Sequence, residues 1–179
     1  AKQAAKQAAG RSGDGGGDAS AAGGDRKRVY VLDFKGDIRA SGVGALREEV
    51  SALLTAARPR DEVLVRLENA GGLVHEHGLA TSQLLRLKQH GIRLTAAVDK
   101  VAASGGFMMA CVADRIVAAP FAILGSIGVL MQLPNFHRLL DAHGVDFEQI
   151  KGGDHKRTLT LFGENTDADR SKAQADVED

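Results

Sequence analysis

From Arg28 onward, short runs rich in β-branched residues alternate with segments of helical period, and this alternation restricts the chain to an α/β fold with a largely parallel sheet. Strands are predicted at 29–34 (VYVLDF), 63–67 (VLVRL), 93–98 (RLTAAV), 115–119 (RIVAA) and 147–150 (FEQI). Between them, Leu46, Val50, Leu53 and Leu54 recur at i, i+4, i+7 and i+8, which predicts an amphipathic helix over 45–57. Residues 79–90 and 135–143 follow the same logic, the second preceded by Pro134 and stopped by Gly144.

Residues 1–28 contain only Ala, Gly, Lys, Gln, Asp, Ser and Arg, with no large apolar side chain to offset the entropy of ordering them. They read as a flexible low-complexity linker, disordered, ahead of a single domain over 29–179. Basic and acidic residues are equal at 23 each, so no net field draws the chain to nucleic acid or to an anionic surface. No window reaches the roughly 20 apolar residues of a membrane span. Cys111 is the single cysteine, so no internal disulfide forms, and its apolar surroundings predict a small core residue.

In an α/β sheet the working residues gather on loops at the carboxyl ends of strands. Three glycine-bearing loops fall there: ENAGGLV (68–74), DKVAASGG (99–106) and LGSIGV (124–129). Each alone is ordinary turn chemistry, and their shared position is what singles them out. Ser104 opens the helical pattern SGGFMMACVA and has two readings. It is an N-cap whose hydroxyl accepts a backbone N–H, or a nucleophile beside backbone donors that would stabilise developing negative charge. Ala102 stands where a G-x-S-x-G elbow needs glycine, which disfavours an α/β-hydrolase.

A serine nucleophile needs a base. His90, His137 and His143 lie on or at the ends of charged helices, as solvated residues do, and a Ser-His-Asp triad stays open on composition. His75 and His77 alternate as strand neighbours would, but H-x-H without a third ligand is a weak metal signal. Lys156 in KGGDHKRTLTLFGENT is the other candidate; a lysine is a base only when neutral, which requires desolvation in an apolar site.

Taken in order, ENAGG, AASGGF, GSIGV and GGDHKR resemble the signal peptide peptidase family of Ser-Lys proteases, in its SohB-type branch. The resemblance runs from about Val29 to about Ala173, and the 52 positions between Ser104 and Lys156 agree with the family spacing. It implies a crotonase/ClpP-like fold of repeated βαβ units. Ser104 would be the nucleophile, Lys156 the general base, and Ser126 the hydroxyl that orients the lysine. The backbone N–H groups of Gly71 and Gly105 would form the oxyanion hole, each donor worth about 3 kcal/mol in the transition state. Ser-Lys is a known variant of the catalytic triad. Ala70 stands where family members carry proline, which would loosen the oxyanion loop.

The resemblance further implies a membrane-associated serine endopeptidase that cleaves apolar peptides, such as spent signal peptides or membrane-protein fragments, without a cofactor. It implies a bacterial inner-membrane location with the domain periplasmic, the cytoplasmic face being the alternative. An anchor would precede Ala1, the domain would continue beyond Asp179, and the full-length protein would form homo-oligomers. No nucleic acid is expected. Two other readings compete: a catalytically idle membrane scaffold of the same fold, and a crotonase-type acyl-CoA enzyme.

Overall fold

The fold is seen in a computed structural model that describes residues 26–153, 156 and 158–178. At its centre lies strand β2 (Glu62–Asn69), whose alternate residues Val63, Val65, Leu67 and Asn69 are buried, as a strand with one face on a core requires. β1 (Val29–Gly36) pairs with β2 along its full length. On the other side, β3 (Arg93–Val98) pairs with the first part of β2, and β4 (Val101–Ala103) takes over at its carboxyl end, where Ala102 faces Asn69. β5 (Arg115–Ala118) extends the sheet beyond β3, and β6 (Ile123–Gly125) lies beyond β4. Every pairing is parallel, as the βαβ alternation predicts.

Helices α1 (Val43–Ala56), α2 (Val74–Gln89) and α3 (Gly105–Cys111) pack on one face of this sheet. Leu46 and Val50 of α1 and Leu84 and Leu87 of α2 close over Val63, Val65, Leu94 and Val98, all at most 2% exposed. Each such side chain contributes about 1.5–3 kcal/mol by leaving water. The opposite face carries ion pairs instead: Arg66 to Asp33 across β2 and β1 at 2.6 Å, Lys100 to Glu68 at 3.1 Å and Lys27 to Glu62 at 2.6 Å. Exposed pairs of this kind add little stability, but they oppose a one-residue register slip that would bury every charge.

Several expectations change. Residues 147–150 form no strand: Phe147 packs on the Phe162 ring, centroids 5.7 Å apart, instead of entering the sheet, and Ile150 is exposed. His75 and His77 lie in the first turns of α2 rather than on a strand, so that helix begins five residues before the predicted 79. The polar tail forms α5 (Asp167–Glu178), started by a capping box in which Asp169 Oδ2 accepts the Thr166 N–H at 2.9 Å. α4 (His137–Ala142) ends as predicted at Gly144, whose φ is +66°. Residues 1–25 of the predicted linker lie outside the described residues. Its last residue is anchored: Arg28 donates its backbone N–H to Asp61 at 3.0 Å and its guanidinium to the same carboxylate at 2.8 Å. Among the described residues, no helix is long and apolar enough to cross a membrane.

Candidate active site

The site lies where the sheet's central strands end. Ser104 links β4 to α3 with φ +50° and ψ −120°, a conformation that costs a non-glycine residue about 1–3 kcal/mol. Backbone bonds on both sides hold it there. Its N–H donates to Gly125 O at 2.7 Å, and its carbonyl accepts the Met108 N–H at 2.9 Å. Its hydroxyl makes no cap bond, so the N-cap reading of Ser104 is not realised and the oxygen is left for other chemistry.

Gly71 follows β2 with φ +89°, and a methyl group there would sit 2.7 Å from Ser104 Cβ and 2.9 Å from Gly105 N. The two loops are therefore in direct contact, which brings Gly71, Ser104 and Gly105 together. The Gly71 N–H points the other way, donating to Asn69 Oδ1 at 2.8 Å. It is spent and does not face an oxyanion. Gly72 differs: it is exposed, it lines the groove with Ser104 and Gly105, and neither its N–H nor that of Gly105 has an acceptor among the described residues. Gly72 is locked in place because a side chain there would fall 2.2 Å from Ile38 O, the same carbonyl that accepts the Leu73 N–H at 2.9 Å.

Ser126 follows β6 with φ +52°, next to the Gly125 carbonyl that holds Ser104. The two serines thus stand at the ends of adjacent parallel strands. Lys156 is not brought to them. It is exposed, its N–H lies 3.5 Å from Gly153 O, and its side chain makes no hydrogen bond or ion pair with a described residue. The dry surroundings expected for a lysine base are missing at Lys156, and residues 145–150 before it form no helix or strand and leave Val145 and Ile150 exposed.

An apolar groove of about 390 Å³ opens beside Ser104, lined by Gly72, Val74, Phe107, Met108, Cys111 and Ile127 among others. Cys111, predicted as a core residue, is exposed in this groove because it falls on the outward face of α3, opposite buried Met109 and Ala110. Of the three histidines expected to be solvated, His90 and His143 are exposed and His137 is half-buried. No group of three or more His, Cys, Asp or Glu among the described residues could hold a metal.

Two residues that the sequence reading left without a role complete the site. Asn69 is 1% exposed and His77 fully buried, their side chains meeting directly behind the Gly71 and Gly105 backbones. The available signal was a polar residue at a core position of an otherwise apolar alternation.

The N-terminal model of peptidase family S49 matches residues 1–84, and the main model of the same family matches residues 86–179. The chain belongs to peptidase family S49. The "probable protease SohB" of Haemophilus influenzae is 62% identical over 151 residues, covering 84% of this chain and 43% of that one. The protein of the same name from Buchnera aphidicola of Acyrthosiphon pisum is 61% identical over 148 residues, covering 83% of this chain and 44% of its own. This S49 chain therefore spans less than half the length of these relatives. A crystal structure of an enoyl-CoA hydratase/isomerase family member aligns at TM-score 0.42 and 17% identity, over 67% of this chain and 50% of that one. That overlap bears on neither mechanism nor substrate.

Proposed function

We propose that this S49 chain carries the nucleophile and oxyanion site of a serine endopeptidase with a Ser-Lys dyad. The observation that carries the reading is Ser104, strained in backbone, bonded on both sides through its main chain, with its hydroxyl unspent beside an apolar groove. Ser104 Oγ attacks the scissile carbonyl carbon while its proton passes to Lys156, and the carbonyl oxygen becomes the oxyanion. Gly105 and Gly72 N–H groups receive that charge, a pair worth several kcal/mol in a water-poor site. Lys156 then gives the proton to the leaving amine, and water repeats the cycle on the acyl-enzyme. Ser126 orients the lysine.

For Lys156 to serve as the base, its ammonium must be taken out of water beside Ser104 and Ser126. The groove's apolar lining suits an extended peptide with an apolar side chain beside the cleaved bond, as in spent signal peptides or membrane-protein fragments. The full-length protein would act at the bacterial inner membrane as a homo-oligomer with this domain periplasmic.

The test is hydrolysis of a quenched fluorescent apolar peptide by the full-length protein, with Ser104→Ala and Lys156→Ala beside it, together with labelling by a fluorophosphonate. Loss of turnover in both variants and labelling that depends on Ser104 are expected. Turnover that survives Ser104→Ala overturns the assignment, and a wild type that neither cleaves nor labels makes the fold an idle scaffold.

A further inference from the structure

Asn69 closes β2 on the face that Val63, Val65 and Leu67 give to the core, where the alternation asks for an apolar side chain. A buried amide is tolerated only when its polar atoms are bonded. Its Oδ1 accepts the Gly71 N–H at 2.8 Å and lies 3.2 Å from His77 Nε2, while Nδ2 lies 3.4 Å from Met109 Sδ. Because the Gly71 N–H can only donate, the amide atom it meets is the oxygen, and that oxygen in turn requires a proton on His77 Nε2. His77 Nδ1 lies 3.0 Å from Leu73 O, so the same ring reaches both ends of the 69–73 loop.

The surrounding backbone is cut to fit this pair. A methyl group on Gly36 would fall 2.2 Å from Asn69 Cγ, and one on Gly105 would fall 2.4 Å from His77 Cγ. The imidazole therefore rests on the backbone of one candidate oxyanion donor, Gly105. The amide pins the residue before the other, Gly72.

We infer that Asn69 and His77 are a positioning pair for the oxyanion site. Asn69 holds Gly71 in its positive-φ turn, so that the following peptide presents the Gly72 N–H to the groove, and His77 fixes that loop to α2 and to the start of α3. Neither side chain touches substrate. Their effect is on the placement of donors that bind the oxyanion more strongly than the ground-state carbonyl, so it belongs in kcat rather than KM. The inference rests on Ser104 being the nucleophile.

The test compares Asn69→Leu, which keeps the volume and removes the acceptor, with Asn69→Asp, which restores acceptor oxygens, in the full-length protein. Leu84→Ala, in the core of α2, serves as a purely structural control. Removing one oxyanion donor outright costs about 10²–10³ in kcat, so a loosened one is expected to cost about 10–100-fold with KM changed less than about 3-fold. Asn69→Asp is expected to recover part of kcat, while Leu84→Ala lowers the melting midpoint and leaves kcat alone. Wild-type kcat in Asn69→Leu, with Ser104→Ala dead, overturns the positioning pair; turnover in Ser104→Ala overturns the nucleophile instead. If Asn69→Leu does not fold, ¹⁵N spectra of wild-type His77 decide: a proton on Nε2 is expected, and an Nε2 without one overturns the pair.

Discussion

Gly71 and Ser104 approach so closely that a single methyl group on the glycine would lie 2.7 Å from the serine Cβ and 2.8 Å from the carbonyl of Ala103. Gly71→Ala therefore combines a positive-φ penalty with a collision at Ser104. The variant is expected to stay folded, because the loop is at the surface end of β2, and to lose at least about 100-fold in turnover. Peptide hydrolysis alongside circular dichroism checks it; activity within a few-fold of wild type would show that the loops part without consequence.

Gly106 lets α3 press on the end of β2, since a methyl group there would fall 2.2 Å from Asn69 O. The atom struck is backbone, so the helix must move. Gly106→Ala is expected to cost about 1–3 kcal/mol of stability, as overpacking of a tight contact does. Urea unfolding measures it, and an unchanged midpoint would contradict the packing.

Cys111 offers a handle on the groove because its thiol is exposed beside Ser104. Alkylation by a bulky maleimide is expected to block peptide hydrolysis, while Cys111→Ser is expected to keep its activity and become resistant to the reagent. Full turnover by the alkylated protein would mean that substrate does not use this groove.

Asp61 accepts the backbone N–H groups of Arg58 and Arg28 as well as the Arg28 guanidinium, and these bonds, led by the Arg58 N–H, lower its carboxyl to about 2 from an ordinary 3.8. A carboxyl lowered on folding adds stability that is fully present above its unfolded value and is lost as pH falls toward its folded one. Urea midpoints are thus expected to drop between about pH 4 and pH 2, and Asp61→Asn to flatten that part of the curve. A slope unaltered by the substitution would place the acid sensitivity elsewhere.

The long elements were legible because their periodicity is long. Val63, Val65 and Leu67 announce a strand, and Leu46, Val50 and Leu53 a helix, through burial that the sequence pattern already encodes. β4 and β6 escaped because three residues give no period, although they carry Ser104 and Ser126 into register. VHEHG alternates like a strand and yet starts α2, since the buried face of a helix's first turn needs only one of its two histidines. The capping box at Thr166 stands in the letters as Thr-x-x-Asp, but the tail that follows is too polar to show an apolar helical period. The shared position of the three glycine loops is legible in their placement after strands, but which glycine N–H is unspent depends on a side-chain bond from Asn69 that no spacing reveals.

The parallel order of the sheet also governs when such a site can exist. Gly71 and Ser104 belong to strands that pair only after the α2 crossover has been closed, and Ser126 joins them only after α3 and β5 are in place. Loop closure of this kind is slow and must precede any contact it rewards. A partly unfolded chain therefore holds none of the arrangement around Ser104, and only the assembled sheet sets its hydroxyl beside the glycine loops.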